Sequence, residues 1–582
     1  MVLTRGRTRT PTPSSPYIRI RSAICYIYPY ARQWYRISEC CPDFSLQESY
    51  FTYPPEEESP VNHDIHFRTG VAPDGSDTFT PRALIYDLKG AFGSMKKISA
   101  LYEAEDDRNI LDQTGVWPSK PIVQRSEPIP QSTYQQHLDS GLEPPPLSTS
   151  TVRYWSDYSR VFYHPKSIVQ LSEFDVNDKL MPFEKWEVGM DLFEKLEREV
   201  DLVDRDLRPL IEECDSLQAL QIMTGVDDAW GGWASGWIER LRDEFGKLSI
   251  WTWGVGDQGA NTSIPRVRVY QDMREYASDI LQERRLQQIV NSSRSLQPLA
   301  EQSSVYIPMS NKPAKVPGYL SFDSTSPWHI SALQIAGLES MTMSSRLRAN
   351  DGRQGALRDL EDTINSTGKR RIAKFEMSVA DPDVLSDKIS DKATDQANAS
   401  KKGRALVSQD TTEDGTQLGA FDIDFFSKDY KIGSVKPGKE EHIFGRVEAS
   451  RGEWDMSNAG GRDPRDRFGT GPAVQRYVYI MWSLFEQTLM PPRYSAPLLF
   501  PQLDSFPNSV FNVGTGHVSK LAIHAGLTTS TAVADQVRAI EQIAKRLVGV
   551  EDRETLCNGL QVIAEEYDEG WEGGLTDSDD DD

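Results

Sequence analysis

The sequence predicts an α/β protein: a parallel sheet flanked by helices, then a second α/β half and a helical C-terminal region. Three stretches carry that expectation. Residues 214–255 read as strand, glycine-containing turn, helix and strand. Residues 183–202 carry an amphipathic helical pattern just before them, and residues 530–550 carry another. A strand-helix-strand unit places two strands parallel and puts a ligand crevice at their C-terminal ends. At 582 residues the chain is long enough for about two to four domains.

Taken in order, residues 1–46 are atypical. Arg5, Arg7, Arg9, Arg19, Arg21, Arg32 and Arg36 precede the first acidic residue, Glu39, which is the compositional cue of a mitochondrial transit peptide. Pro11, Pro13 and Pro16 oppose the amphipathic helix such a peptide needs, so the segment is expected to be disordered. Residues 47–290 are expected to form a nucleotide-binding-type domain. It contains a strand at 83–86 in "FTPRALIYDLKGAFGSMKK" and a Pro- and Ser-rich loop at 111–151 that includes "EPPPLSTS". In "FEKWEVGMDLFEKLEREVDL", Phe183, Trp186, Met190, Phe193 and Leu196 recur at helical spacing. A strand at 214–223, an Asp/Gly turn, a helix from about 235 to 245 and a strand at 248–255 complete it.

The second half spans 291–526, with a polar surface insertion at 381–418 and order returning at "GPAVQRYVYIMWSLFEQTL". Residues 527–568 form C-terminal helices, where Val533, Val537, Ile540, Ala544 and Leu547 mark one face. Residues 569–582 are an acidic tail. Its like charges predict a solvated end, with docking to basic proteins as the rival reading.

Composition excludes several function classes. With 38% hydrophobic and 26% charged residues the chain is globular rather than disordered. The run "YVYIMWSLF" from Tyr477 is half the roughly 18 residues of a membrane helix, which predicts a soluble protein without a transmembrane segment. A formal net charge of -23 opposes extended contact with nucleic acid or an anionic membrane, because phosphate recognition relies on clustered Lys and Arg. Cys25, Cys40, Cys41, Cys214 and Cys557 contain no CxxC pair and are odd in number. Neither a zinc site nor a disulfide framework is expected, and a reducing compartment fits.

Particular stretches then point to a family. "FTPRALIYDLKG" resembles the tubulin signature in which a Pro-Arg pair precedes a strand ending in Asp-Leu-acid. "CDSLQALQ" is similar to the tubulin strand that leads into the glycine-rich phosphate loop, and "WIERLRDEFGK" to the helix after it. "SPWHISALQIAGLESMT" resembles a later tubulin segment. "QESYFTY", "HDIHFR", "WSDYSRVFYHPKS" and "EECDSLQ" look specifically like the Misato family, tubulin-related proteins whose fungal members act in mitochondrial partitioning and inheritance of the mitochondrial genome. The resemblance is good over 47–345 and weak elsewhere. It implies a tubulin-like fold.

It also implies where a nucleotide would sit, and that the site is degenerate. In tubulin a Gly-Gly-Gly-Thr-Gly-Ser-Gly loop presents bare backbone N–H groups to GTP phosphates at a helix N-terminus. Laid on "DDAWGGW", this chain keeps Gly231, with Gly232 beside it, and sets Asp227 and Asp228 toward the phosphates. Like unit charges about 4 Å apart cost roughly 4 kcal/mol at an effective dielectric of about 20. Trp230 and Trp233 add bulk, and an aspartate here is expected to cap its own helix in place of the anion. Lys89 stands where tubulins carry the acid that organises magnesium, leaving Asp87 as a ligand. "VRYWSDY" corresponds to the tubulin segment with paired Asn before Trp, so Arg153 and Tyr154 replace small amides, Arg153 with the alternative of meeting phosphate directly. Residues 1–46 show no glycine- and asparagine-bearing first loop, as if the first strand and helix had been replaced, and no Asn-x-Asp-x-x-Glu pattern occurs.

Other chemistry is not expected. His63 and His66 in "HDIH" lack further ligands at a metal-site spacing. "GGWASG" is not Gly-x-Ser-x-Gly, and "VGTGH" and "FGTGP" are short turns. The expectation is a non-enzymatic, tubulin-like scaffold with no cofactor, peripheral at the mitochondrion with a cytoplasmic pool. Its partners would be proteins of the mitochondrial surface, tubulin or a chaperonin, with no direct contact to nucleic acid. One rival is a GTPase that switches or polymerises, with Asp87 on magnesium and the Gly231 and Gly232 amides on phosphate. The other is an adaptor that binds tubulin or a chaperonin through its tubulin-like surface.

Overall fold

The computed structural model describes residues 22–29, 60–72, 75, 77–95, 128–178, 180–256, 271–313, 316–321, 323–348, 355–382, 421–426, 441–452, 493–507, 509–511 and 520–568, with backbone only at 22–29, 271–282 and 493. Its first sheet contains β1 (Ser22–Pro29), β4 (Ala83–Lys89), β5 (Ile168–Asp175), β6 (Ser216–Gly225), β7 (Ser249–Gly256) and β8 (Val305–Ser310). A hairpin of β2 (Phe67–Val71) and β3 (Asp77–Pro81) stands apart. The strand order is β5-β4-β1-β6-β7-β8, and every neighbouring pair is parallel. β7 and β8 are buried at every residue, as expected for parallel strands covered on both faces.

The first strand is not missing. Ser22–Pro29 lies in the sheet interior, pairing with β4 on one side and β6 on the other. Its sequence "SAICYIYP" is an apolar, aromatic run of strand length; the arginines and prolines around it dominate the composition of 1–46 and conceal it. The sequence sets the boundary between the halves at residue 290. It falls inside α4 (Gln271–Gln302), and β8 beyond it still belongs to the first sheet. Within the Pro-rich stretch 111–151 a helix forms, α1 (Thr133–Asp139), because the Ser132 hydroxyl caps it by accepting from the Gln135 amide at 3.2 Å.

Helix α3 (Ala229–Glu244) packs on β6 and β1, and α2 (Trp186–Val200) packs on α3. α3 starts at Ala229 rather than near 235, so Gly231, Gly232 and Gly236 are helical and do not belong to a turn. They serve close packing. A Cβ on Gly232 would lie 1.9 Å from the Trp186 carbonyl oxygen, one on Gly189 would lie 1.7 Å from that of Ala229, and one on Gly236 would lie 2.3 Å from the Phe193 ring. Around this crossing Trp233 meets Tyr86 and Phe193 edge-on at 5.3 and 5.6 Å, and Trp230 meets Phe183 at 5.0 Å. Such pairs add about 0.5–1.5 kcal/mol each beyond their buried area. The Tyr86 hydroxyl donates to Asp206 Oδ2 at 2.7 Å; Asp206 is delivered by a π-helical turn, Val203–Leu207, and is also held by Arg205.

In the second half α5 (Pro327–Thr342) is buried from Trp328 to Thr342. It packs on a mixed sheet of β9 (Lys374–Ala380), β10 (Ile423–Asp424), β11 (Ile443–Arg451), β12 (Arg493–Ala496) and β14 (Lys520–Ser530), ordered β10-β9-β14-β11-β12, with β13 (Phe500–Pro501) beside β14. Helices α6 (Leu357–Ile364), α7 (Ala532–Leu547) and α8 (Val550–Glu566) also belong to this half. On α7, Val533, Val537, Ile540 and Ala544 are buried and Leu547 is half-buried, the face that helical spacing predicts. The halves join where Ile372 bridges Tyr306 of β8, and one hydrophobic core runs through both. Residues 383–418 of the insertion expected at 381–418, the stretch "GPAVQRYVYIMWSLFEQTL" and the tail 569–582 lie outside the described residues. No helix among the described residues is long and apolar enough to cross a membrane.

The helix crossing is directly testable. Gly232→Ala and Gly189→Ala should each cost about 1–3 kcal/mol through overpacking, read as a lower urea midpoint. Gly318→Ala, whose Cβ would meet nothing within 4 Å, should leave the midpoint unchanged.

Candidate functional site

The C-terminal edge of the parallel sheet is where a ligand crevice would open. β6 ends at Gly225, and Val226 is held by the Val255 carbonyl at 3.0 Å. Asp227 and Asp228 then turn the chain into α3. Asp228 is the N-cap: its backbone is extended (φ -148°, ψ -162°), its Oδ1 accepts from the Trp230 amide at 3.0 Å, and it is 1% exposed. Its carbonyl takes the Gly231 amide at 3.2 Å. Two of the helix-start donors that an anion would use are therefore bonded to Asp228 itself.

The neighbouring helices seal the turn. Asn291 of α4 uses all four of its side-chain hydrogen-bond positions. Its Nδ2 donates to the Asp227 carbonyl at 3.0 Å and the Glu184 carbonyl at 2.7 Å, and its Oδ1 accepts from the Trp186 amide at 3.1 Å and from Gln287 at 2.9 Å. One turn on, Ser295 donates to the Val226 carbonyl at 3.1 Å, and Gln288 reaches Asp227 Oδ2 at 3.4 Å. Gly231 lies against Ser295, whose Oγ would be 2.0 Å from an added Cβ, while Gly232 lies against the Trp186 carbonyl. These glycines bring protein backbone and side chains close, in the position where a phosphate loop would bring phosphate close.

The seven residues singled out in the sequence do not all converge. Asp227, Asp228, Gly231 and Gly232 form the one turn just described. Asp87 and Lys89 end β4, which is separated from β6 by β1. Asp87 is fully buried and accepts from the Leu88 amide at 2.7 Å. Lys89 points across to β5, where its ammonium lies 3.8 Å from Asp175, a half-exposed pair worth about 0–1 kcal/mol. Arg153 precedes β5 and is engaged locally, donating to both oxygens of buried Asp157 at 3.2 and 3.0 Å and to the Pro130 carbonyl at 2.8 Å. The hydrogen bond to Asp157 raises its pKa further. Among the described residues no three His, Cys, Asp or Glu side chains are grouped to hold a metal. His66 is buried, and burial, followed by the charge of Arg346, holds its pKa well below the usual value.

Asn291, Ser295 and Gln288 are not among the residues that the sequence singles out. The available signal is "QQIVNSSRS", a small polar face inside an otherwise ordinary helix, with Asn291 and Ser295 one turn apart.

Comparison with known proteins gives consistent matches. Residues 144–347 match the family model of a tubulin domain, and residues 44–140 match the Misato Segment II tubulin-like domain. Protein DML1 of Phaeosphaeria nodorum is 68% identical over 539 residues, covering 92% of this chain and 96% of that protein. Protein dml1 of Aspergillus clavatus is 39% identical, covering 93% and 96%, and Protein dml-1 of Neurospora crassa is 39% identical, covering 92% and 96%.

Two outcomes are expected here. Asn291→Ala leaves the Trp186 amide and two carbonyls without this partner and should cost roughly 1–3 kcal/mol, with faster amide exchange at Trp186 measured by NMR or mass spectrometry. For His66 the folded state binds its proton less readily than the unfolded chain. Its stabilising contribution is therefore present above the unfolded pKa of about 6.5 and is lost as pH falls below it. The urea midpoint should drop between neutral pH and pH ~5, and less steeply in His66→Gln.

Proposed function

The chain belongs to the Misato family of tubulin-like proteins, and we propose that it acts as a non-enzymatic scaffold in the partitioning of mitochondria and the inheritance of mitochondrial DNA. The process rests on the family resemblance. The non-enzymatic reading rests on one observation: Asp228, buried and capping α3, takes the helix-start amide donors, while Ser295 and the Trp186 carbonyl fill the space beside Gly231 and Gly232. A phosphate brought there would have to displace a carboxylate and push apart a packed helix pair. The net charge of -23 supports action through proteins and not by holding DNA. Mitochondrial surface proteins, tubulin or a chaperonin fit as partners, and the place of action is the mitochondrial surface with a cytoplasmic pool.

A GTP-dependent switch is the alternative with an observation behind it, since the tubulin-domain match spans the whole turn and strands β5 to β8 of its sheet. Calorimetric titration with GTP and magnesium separates the two readings. The native chain should give no binding heat. Asp227 and Asp228 replaced together by glycine should restore weak binding if those carboxylates close the site. Micromolar binding by the native chain would overturn the scaffold reading in favour of the switch. Protease treatment of intact isolated mitochondria should degrade the protein, and full protection would contradict a surface location.

A further inference from the structure

In a chain of net charge -23, three consecutive cations, Lys369, Arg370 and Arg371, stand on the turn between α6 and β9. Gly368 shapes this turn at φ +74°, and the space around it is open. Lys369 is exposed, and Arg370 and Arg371 are half-buried. The turn is fastened to the end of α8. The Tyr567 hydroxyl accepts from the Ile372 amide at 2.7 Å and donates to its carbonyl at 2.9 Å, and Arg370 Nε donates to the Glu566 carbonyl at 3.0 Å. Asp568 is paired with Arg538. The described residues therefore run, at Glu566 and Tyr567, directly beside the three cations.

Their charge is felt by the groups around them. Arg371 adds to burial in lowering the pKa of Arg242, which Glu361 partly opposes, and Arg370 adds to burial in lowering that of His442. An anion placed here would relieve both. Residues 569–582 supply one: Glu569, Glu572, Asp577, Asp579, Asp580, Asp581 and Asp582, with Trp571 offering a ring face to a guanidinium. At about 3.3 Å per extended residue, even the first few residues span the turn.

We propose that the acidic segment 569–582 docks in cis on the basic turn formed by Lys369, Arg370 and Arg371, holding the tail back from basic partners until one competes it away. Tethering favours the chain's own tail over a dissolved anion, because a short flexible link gives an effective concentration of about millimolar. The contact is independent of whether nucleotide binds at β6.

The test uses the full chain with a fluorophore attached at Asp582, read by time-resolved anisotropy, native against K369Q/R371Q. Arg370 is left intact because it also stacks on Phe444. At low salt the native tail should show a slow component that is lost in the variant. It should also be lost when salt rises from about 0.1 M to 1 M, which shortens the Debye length from about 10 Å to about 3 Å. Equal, fast depolarisation in both proteins at low salt would overturn the proposal. Equal restriction in both would overturn it too, since the tail would then dock elsewhere.

Discussion

The contact between α2 and α3 at Gly189 and Gly232 sets the geometry of the first half. Two backbones approach so closely that a single methyl on either glycine would overlap a carbonyl of the other helix. Such an approach exposes flat helix surface, and the aromatic side chains of Trp230, Trp233 and Phe193 fill the flanks where the helices diverge. It also places the start of α2 directly over the first turn of α3. The Trp186 amide and the Asp227 carbonyl come within reach of one asparagine, Asn291. The closure of the turn is thus a consequence of helix packing, and the carboxylate of Asp228 completes it from within.

The same edge of the same kind of sheet can hold a phosphate or a protein side chain, because the helix N-terminus presents donors to either. What differs is the source of the negative charge. Here the Asp228 carboxylate, part of the chain itself, accepts from the Trp230 amide at the positive end of the helix dipole. Asp87, Lys89 and Arg153 follow the same pattern: each is bound to a neighbour in its own region of the fold, Leu88, Asp175 and Asp157 respectively.

Much of the fold is legible in the sequence. β6 and β7 follow from apolar runs, α2 and α7 from helical spacing, and the capping role of Asp228 from an aspartate before a helix. The differences share a cause. β1 is hidden because composition averaged over 46 residues drowns an eight-residue apolar run. The start of α3 shifts because "GGWASG" has a local turn tendency, whereas its glycines answer to helices α2 and α4. Asn291 is invisible for the same reason, since its partners at Glu184 and Asp227 lie 107 and 64 residues away. Residues that close a site through distant contacts leave little local pattern.

The joint between the halves carries a consequence for how the chain is made. Tyr306 at the sheet edge bridges Ile372, and Ile372 is gripped by Tyr567, 195 residues further on. β1, synthesised first, must in turn wait for β4 and β6 on either side. During vectorial synthesis the sheet therefore stays unfinished at its centre until β6 follows, and the seam between halves stays open until Tyr567 has emerged. Pairings this distant close slowly and leave apolar strand edges exposed meanwhile. Until then, strand surface that ends in the core faces water.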